Sequence, residues 1–123
     1  MKQNIVLTVS SLLTLVLFMF HLTDDVLHVK EGIDVTGTII VLLIMVAMLY
    51  GTIDLAGRRW GYVIMFVGGV AALYMPFLHG LGPRATRWGF FFVWTMIALG
   101  ALGAYTAILS ARGLWRSFRV RAG

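Results

Sequence analysis

Four apolar runs, each long enough to cross a bilayer as a helix, dominate this sequence and limit what it can become. They cover about Ile5–Leu22, Val35–Leu55, Gly61–His79 and Trp88–Ser110, 18 to 23 residues apiece. At 1.5 Å rise per residue, helices of that length span the ~30 Å hydrocarbon layer. Charged residues make up only 12% of the chain, about half of what soluble domains carry. The class is therefore an integral membrane protein, with the bilayer supplying the apolar surroundings that a soluble domain must build. Connections between the runs are short, which predicts sequential helices as antiparallel neighbours. The expected fold is all-α, a single polytopic domain of four transmembrane helices in an up-down bundle. A basic amphipathic tail is expected over 111–123.

Charge sets the expected orientation. Lys2, Arg58, Arg59, Arg112, Arg116, Arg119 and Arg121 fall on one side of such a bundle, and Lys30, Arg84 and Arg87 on the other. Seven against three places both termini in the cytoplasm. Read this way, the chain belongs in a bacterial inner membrane. The first twenty residues have the Lys-then-apolar layout of a signal peptide, but no small-x-small cleavage pattern follows. His21-Leu22-Thr23-Asp24 comes instead, so the segment is expected to stay as a membrane helix. Basic residues at the ends of apolar runs also remove nucleic acid as a partner, despite a net charge of +5. In the tail, Arg112, Arg116 and Arg119 share one arc and Leu114, Trp115 and Phe118 another, suited to gripping anionic lipid.

Small residues predict where helices meet. Gly68 and Ala72 in the third run, and Gly100 with Ala104 and Gly103 with Ala107 in the fourth, have small-xxx-small spacing. The expected contact sets Gly68/Ala72 against Gly100/Ala104, although one stripe could instead face a second copy or a larger membrane complex. Pro76 is expected to loosen the outer end of the third helix. Asp54 and Arg58, four residues apart, read as an ion pair.

The most concentrated chemistry is "HLTDDVLH" at 21–28. It holds two of the chain's three histidines and two of its five acidic residues. On a continued helix His21, Asp24, Asp25 and His28 share a polar stripe of about 100°. Its i,i+3 pairs, His21 with Asp24 and Asp25 with His28, suit a shared metal ion. The two histidines lie about 10.5 Å apart along the axis, too far for one ion. A further ligand must come from elsewhere, and the topology offers His79 at matching depth. The predicted constellation is His21, Asp24 or Asp25, and His79. A divalent metal is the first cofactor such a set suits, a proton site needs none, and a haem held by two histidines comes last. The other reading ends the first helix near Leu22 and uses Thr23 as an N-cap, with Asp24 and Asp25 in the first turn of a short surface helix.

The H-L-T-D-D stretch closing the first apolar helix resembles small four-helix bacterial membrane proteins with a His-Leu-x-Asp-Asp signature. That resemblance covers about the first 35 residues and the four-span layout, and it implies no activity. Length and span count are also similar to the small multidrug resistance transporters. Those carry an acid inside the first helix, whereas Asp24 and Asp25 here lie past its outer end. Cysteine is absent, and no nucleophile–base pair or oxyanion arrangement occurs, so the expected function is non-enzymatic. It is first a structural, accessory or self-associating bundle, and alternatively a binding or transport protein for an ion, proton or small ligand.

Overall fold

The structure, a computed structural model, describes the backbone of residues 2–28, 34–80 and 89–122 and the side chains of 4–27, 34–79 and 89–120. Within these, four helices follow one another: α1 (Lys2–His28), α2 (Val35–Ile53), α3 (Arg59–Gly80) and α4 (Phe90–Ala122). All four are long and apolar enough to cross a membrane. The chain is a small multi-pass membrane protein built as an all-α bundle.

Contacts at the two ends give the direction of each helix. At one end the Tyr62 hydroxyl of α3 donates to Asn4 Oδ1 of α1 at 2.9 Å, and the Arg59 guanidinium donates to the Ser117 carbonyl of α4 at 2.7 Å. At the other end Asp25 of α1 meets His79 of α3, and Phe92 of α4 packs beside the His21 and His79 rings. Neighbours along the chain are therefore antiparallel. The α2–α3 reversal is made by a tight turn in which Arg58 N–H donates to the Leu55 carbonyl at 2.9 Å. Gly57 sits there at φ +76°, a left-handed conformation that glycine adopts without steric penalty.

α3 and α4 form the closest pair. A Cβ on Gly69 would strike the backbone of Gly103 and Ala107, and one on Gly103 would strike Ala72, Gly69 and Leu73. Such close approach brings the dispersion contacts that hold helices together where lipid is as apolar as the side chains. Compared with the sequence expectation, the tight contact falls one residue on along α3, at Gly69, and on the other small-residue pair of α4, Gly103 and Ala107. Gly68 faces Met48 of α2, and Gly100 receives the Pro76 ring. With that ring accommodated, α3 runs unbroken through Pro76 to Gly80. Two apolar clusters fill the interior, Leu17, Phe18, Ala72, Met75, Met96 and Leu99 toward the His/Asp end, and Leu7, Tyr62, Met65 and Leu109 toward the other.

Two further boundaries differ from the sequence reading. α1 continues through Thr23 to His28. The Thr23 hydroxyl donates back to the Met19 carbonyl at 2.8 Å, the bond of a residue inside a helix and not of an N-cap. α4 does not stop at Ser110; the basic tail is its continuation to Ala122. At 33 residues α4 is about 50 Å long, well beyond a hydrocarbon layer.

Candidate functional site

Helical spacing builds the first half of the site. On α1, His21 and Asp25 are one turn apart and therefore stack on one face. Because α1 continues past Leu22, Asp25 stays above His21 and does not splay into a loop. The pairing is i,i+4, His21 with Asp25, and not the i,i+3 pairing expected from the sequence. His79 stands in the last turn of α3, brought level by the antiparallel packing. His21 Nε2 lies 3.4 Å from Asp25 Oδ2, and His79 Nε2 lies 3.2 Å from the same oxygen. The two imidazoles meet edge to face with centroids 4.6 Å apart. One ligand atom from each of His21, Asp25 and His79 can be drawn so that all lie within 4.8 Å of one another.

The hydrogen-bond roles in this group are constrained. His79 Nδ1 lies 3.1 Å from the Met75 carbonyl, and a carbonyl can only accept, so Nδ1 carries the hydrogen. In a neutral ring Nε2 then offers a lone pair, and it points at a carboxylate oxygen that also offers only lone pairs. A proton or a cation between the two atoms resolves the conflict. His21 adds to it. Its side chain is only 4% exposed, and neither ring nitrogen makes a hydrogen bond of good geometry; the 3.4 Å approach of Nε2 to Asp25 is an electrostatic contact. Burying a polar ring without a partner costs on the order of 1–3 kcal/mol.

Beside the group, a cavity of about 220 Å³ opens between α1, α2 and α3, lined by Asp25 and His79 together with Leu22, Val41, Met75 and Asp34. At roughly 30 Å³ per water it has room for several. Asp34 itself caps α2, accepting from Gly37 N–H at 3.1 Å.

Other sequence candidates fall elsewhere. Asp24 is half-buried on α1 and outside the converging set. His28 lies in the last position of α1, with its side chain outside the described residues, as is that of Arg121. Lys30, Arg84 and Arg87 are also outside the described residues. No ion pair joins Asp54 to Arg58. α2 ends at Ile53 with Asp54 as its C-cap, so the chain has turned before Arg58 and helical i,i+4 spacing does not apply. Arg112 and Arg116 are exposed, and the Arg119 guanidinium stacks 5.2 Å over Trp115.

A second polar group was not singled out from sequence. Ser10 and Thr106 hydroxyls bond at 2.6 Å, Ser11 and Thr52 at 2.7 Å, and Thr14 donates to the Ser10 carbonyl at 2.8 Å. Thr52 also donates to the Met48 carbonyl at 2.6 Å. The available signal was Ser10, Ser11 and Thr14 within an apolar run, with Thr106 and Ser110 one turn apart in another.

No protein-family model, curated protein or solved structure matches this chain. Its chemistry has to be argued from the site itself.

Proposed function

We propose that this membrane protein binds a divalent transition-metal ion, zinc foremost, through His21 Nε2, Asp25 Oδ2 and His79 Nε2. One observation carries the reading. One imidazole has its Nδ1 on the Met75 carbonyl and its Nε2 on a carboxylate oxygen, with a second buried imidazole beside it. A backbone carbonyl holding the far ring nitrogen is how metal-ligating histidines are commonly oriented. Zinc accepts imidazole and carboxylate ligands at about 2.0–2.2 Å, and tetrahedral placement then separates donor atoms by roughly 3.4 Å. The two separations from Asp25, 3.2 and 3.4 Å, suit that geometry. Haem suits it less, because rings with centroids 4.6 Å apart leave no porphyrin-wide gap between them. Three protein ligands with a cavity alongside describe an open site, whose remaining position water can fill. A bundle whose only chemistry is helix packing gives no reason for three donors to converge. With the positive-inside orientation, the ion would sit at the outer face of an inner membrane.

A second reading is favoured by the 3.2 Å His79–Asp25 contact, namely a proton shared between imidazole and carboxylate with no metal. Metal content after dialysis of purified protein against buffered zinc separates the two. The ion reading expects one ion per chain in the parent protein and none in His79→Ala. Equal metal content in the two proteins, or none in either, leaves the proton reading.

A further inference from the structure

The opposite end of the bundle holds a second built feature, independent of the ion site. A cavity of about 470 Å³ lies where the α2–α3 turn meets the last turns of α4. Three of its described lining residues are arginines, Arg58, Arg59 and Arg116, and among the described residues none that lines it is a carboxylate. Arg59 is held in place on two sides. Its guanidinium donates to the Ser117 carbonyl at 2.7 Å and stacks 4.7 Å over the Phe118 ring. A guanidinium carries five N–H donors, so one bond to Ser117 fixes the fork without consuming it. Planar, pre-oriented guanidinium groups recognise phosphate oxygens in pairs.

Phe118 also belongs to a second hollow, of about 170 Å³, which it lines with Phe66, Ala111, Leu114 and Trp115. These described residues are aliphatic or aromatic. A cationic cavity and an apolar groove thus meet at the stack of Arg59, which lines the first, on Phe118, which lines the second, at the end of membrane-spanning helices. We infer that together they bind an anionic phospholipid, its phosphate on Arg58, Arg59 and Arg116 and an acyl chain along the groove. This goes beyond general attraction of a basic tail to a negative surface, because it assigns the contact to Arg58 and Arg59, outside the tail, and leaves Arg112 out.

The test is native mass spectrometry of the full chain in neutral detergent. Phosphatidylglycerol or phosphatidylcholine of the same acyl chains is added, and inorganic phosphate is offered as competitor. The parent protein is expected to prefer phosphatidylglycerol by about fivefold to tenfold. Arg59→Gln should lose that preference, and Arg58→Gln, on an exposed turn, should reduce it several-fold and decides the matter if Arg59→Gln fails to fold. Arg112→Gln, which removes the same charge from outside both hollows, should keep the preference. Equal retention of the two lipids, or an equal loss in Arg112→Gln, overturns the assignment to a built site. Displacement of the lipid by millimolar inorganic phosphate overturns the part played by the acyl groove and leaves a small-anion site.

Discussion

Two polar groups are buried in this apolar bundle, and they are built to opposite rules. In the half nearer the basic end, Ser10, Ser11, Thr14, Thr52 and Thr106 pair hydroxyl with hydroxyl or with a carbonyl one turn back. A hydroxyl is both donor and acceptor, so such pairs satisfy themselves; among the described residues Ser110 is the one buried hydroxyl there without a partner. At the other end, His21 and His79 bring ring nitrogens to one carboxylate oxygen, and His21 has no well-formed hydrogen bond. A self-satisfied group needs nothing further and acts as adhesive between helices. A group whose acceptors face one another needs a cation, whether proton or metal, to complete it.

Breaking the second group should have the largest effect. His79→Ala removes one of three ligands and should weaken zinc binding by about 100-fold or more, since even outer partners of such ligands are worth 10–100-fold. Competition titration with a chromogenic chelator measures it. Lowering the pH from about 8 to about 5 should release the ion, because protons compete for imidazole and carboxylate. The hydroxyl group does not titrate in that range and should not respond.

The next effect belongs to the frame that holds both groups in register. Gly103→Leu places a side chain against the Gly69 and Leu73 backbone and should cost about 3 kcal/mol or prevent folding. At Gly100 the neighbour is the rim of the Pro76 ring, 3.1 Å from an added Cβ, so Gly100→Ala should cost less than about 1 kcal/mol. Thermal unfolding in detergent ranks the two. The reverse ranking would make Gly100, and not Gly103, the tighter of the two α3–α4 approaches.

A smaller effect is expected from the hydroxyls. The Ser10→Ala, Thr106→Ala double-mutant cycle should give a coupling of about 0.6 kcal/mol, the average for interhelical hydrogen bonds in membranes. A coupling several times larger would mean that this group also bears a strained or functional load. The smallest belongs to Thr23→Ala. An N-cap loss costs about 1 kcal/mol, whereas an exposed residue inside a helix should change stability by less than about 0.5 kcal/mol.

Much of the fold was legible because hydrocarbon thickness fixes helix length, and short loops fix antiparallel order. The meeting of His21 with His79 follows from the same arithmetic, since both helices start at one end and reach their histidines after similar lengths. What the sequence left open depended on details that periodicity does not carry. Thr23 suits an N-cap and a helix interior equally, and only its bond to Met19 decides. The choice of Asp25 over Asp24 turns on whether His21 is paired one full turn on, which requires α1 to continue. Gly68 and Gly69 are adjacent, so small-residue spacing could not say which faces α4 and which faces Met48. Asp54–Arg58 failed as a pair because Gly57 allows a reversal within the spacing that a helix would have used. The hydroxyls of Ser10, Ser11 and Thr14 were overlooked because each alone is unremarkable in a membrane helix; their meaning lies in what Thr52 and Thr106 bring from other helices.

Everything proposed for the His/Asp end rests on His21, Asp25 and His79 holding one ion together. X-ray absorption at the zinc edge, on zinc-loaded and dialysed protein, tests it most directly. Zinc-loaded protein should show nitrogen and oxygen neighbours near 2.0–2.1 Å, with multiple-scattering features of two imidazoles per ion, both features lost in His79→Ala. An ion retained without imidazole scattering, or no ion retained at all, would contradict it.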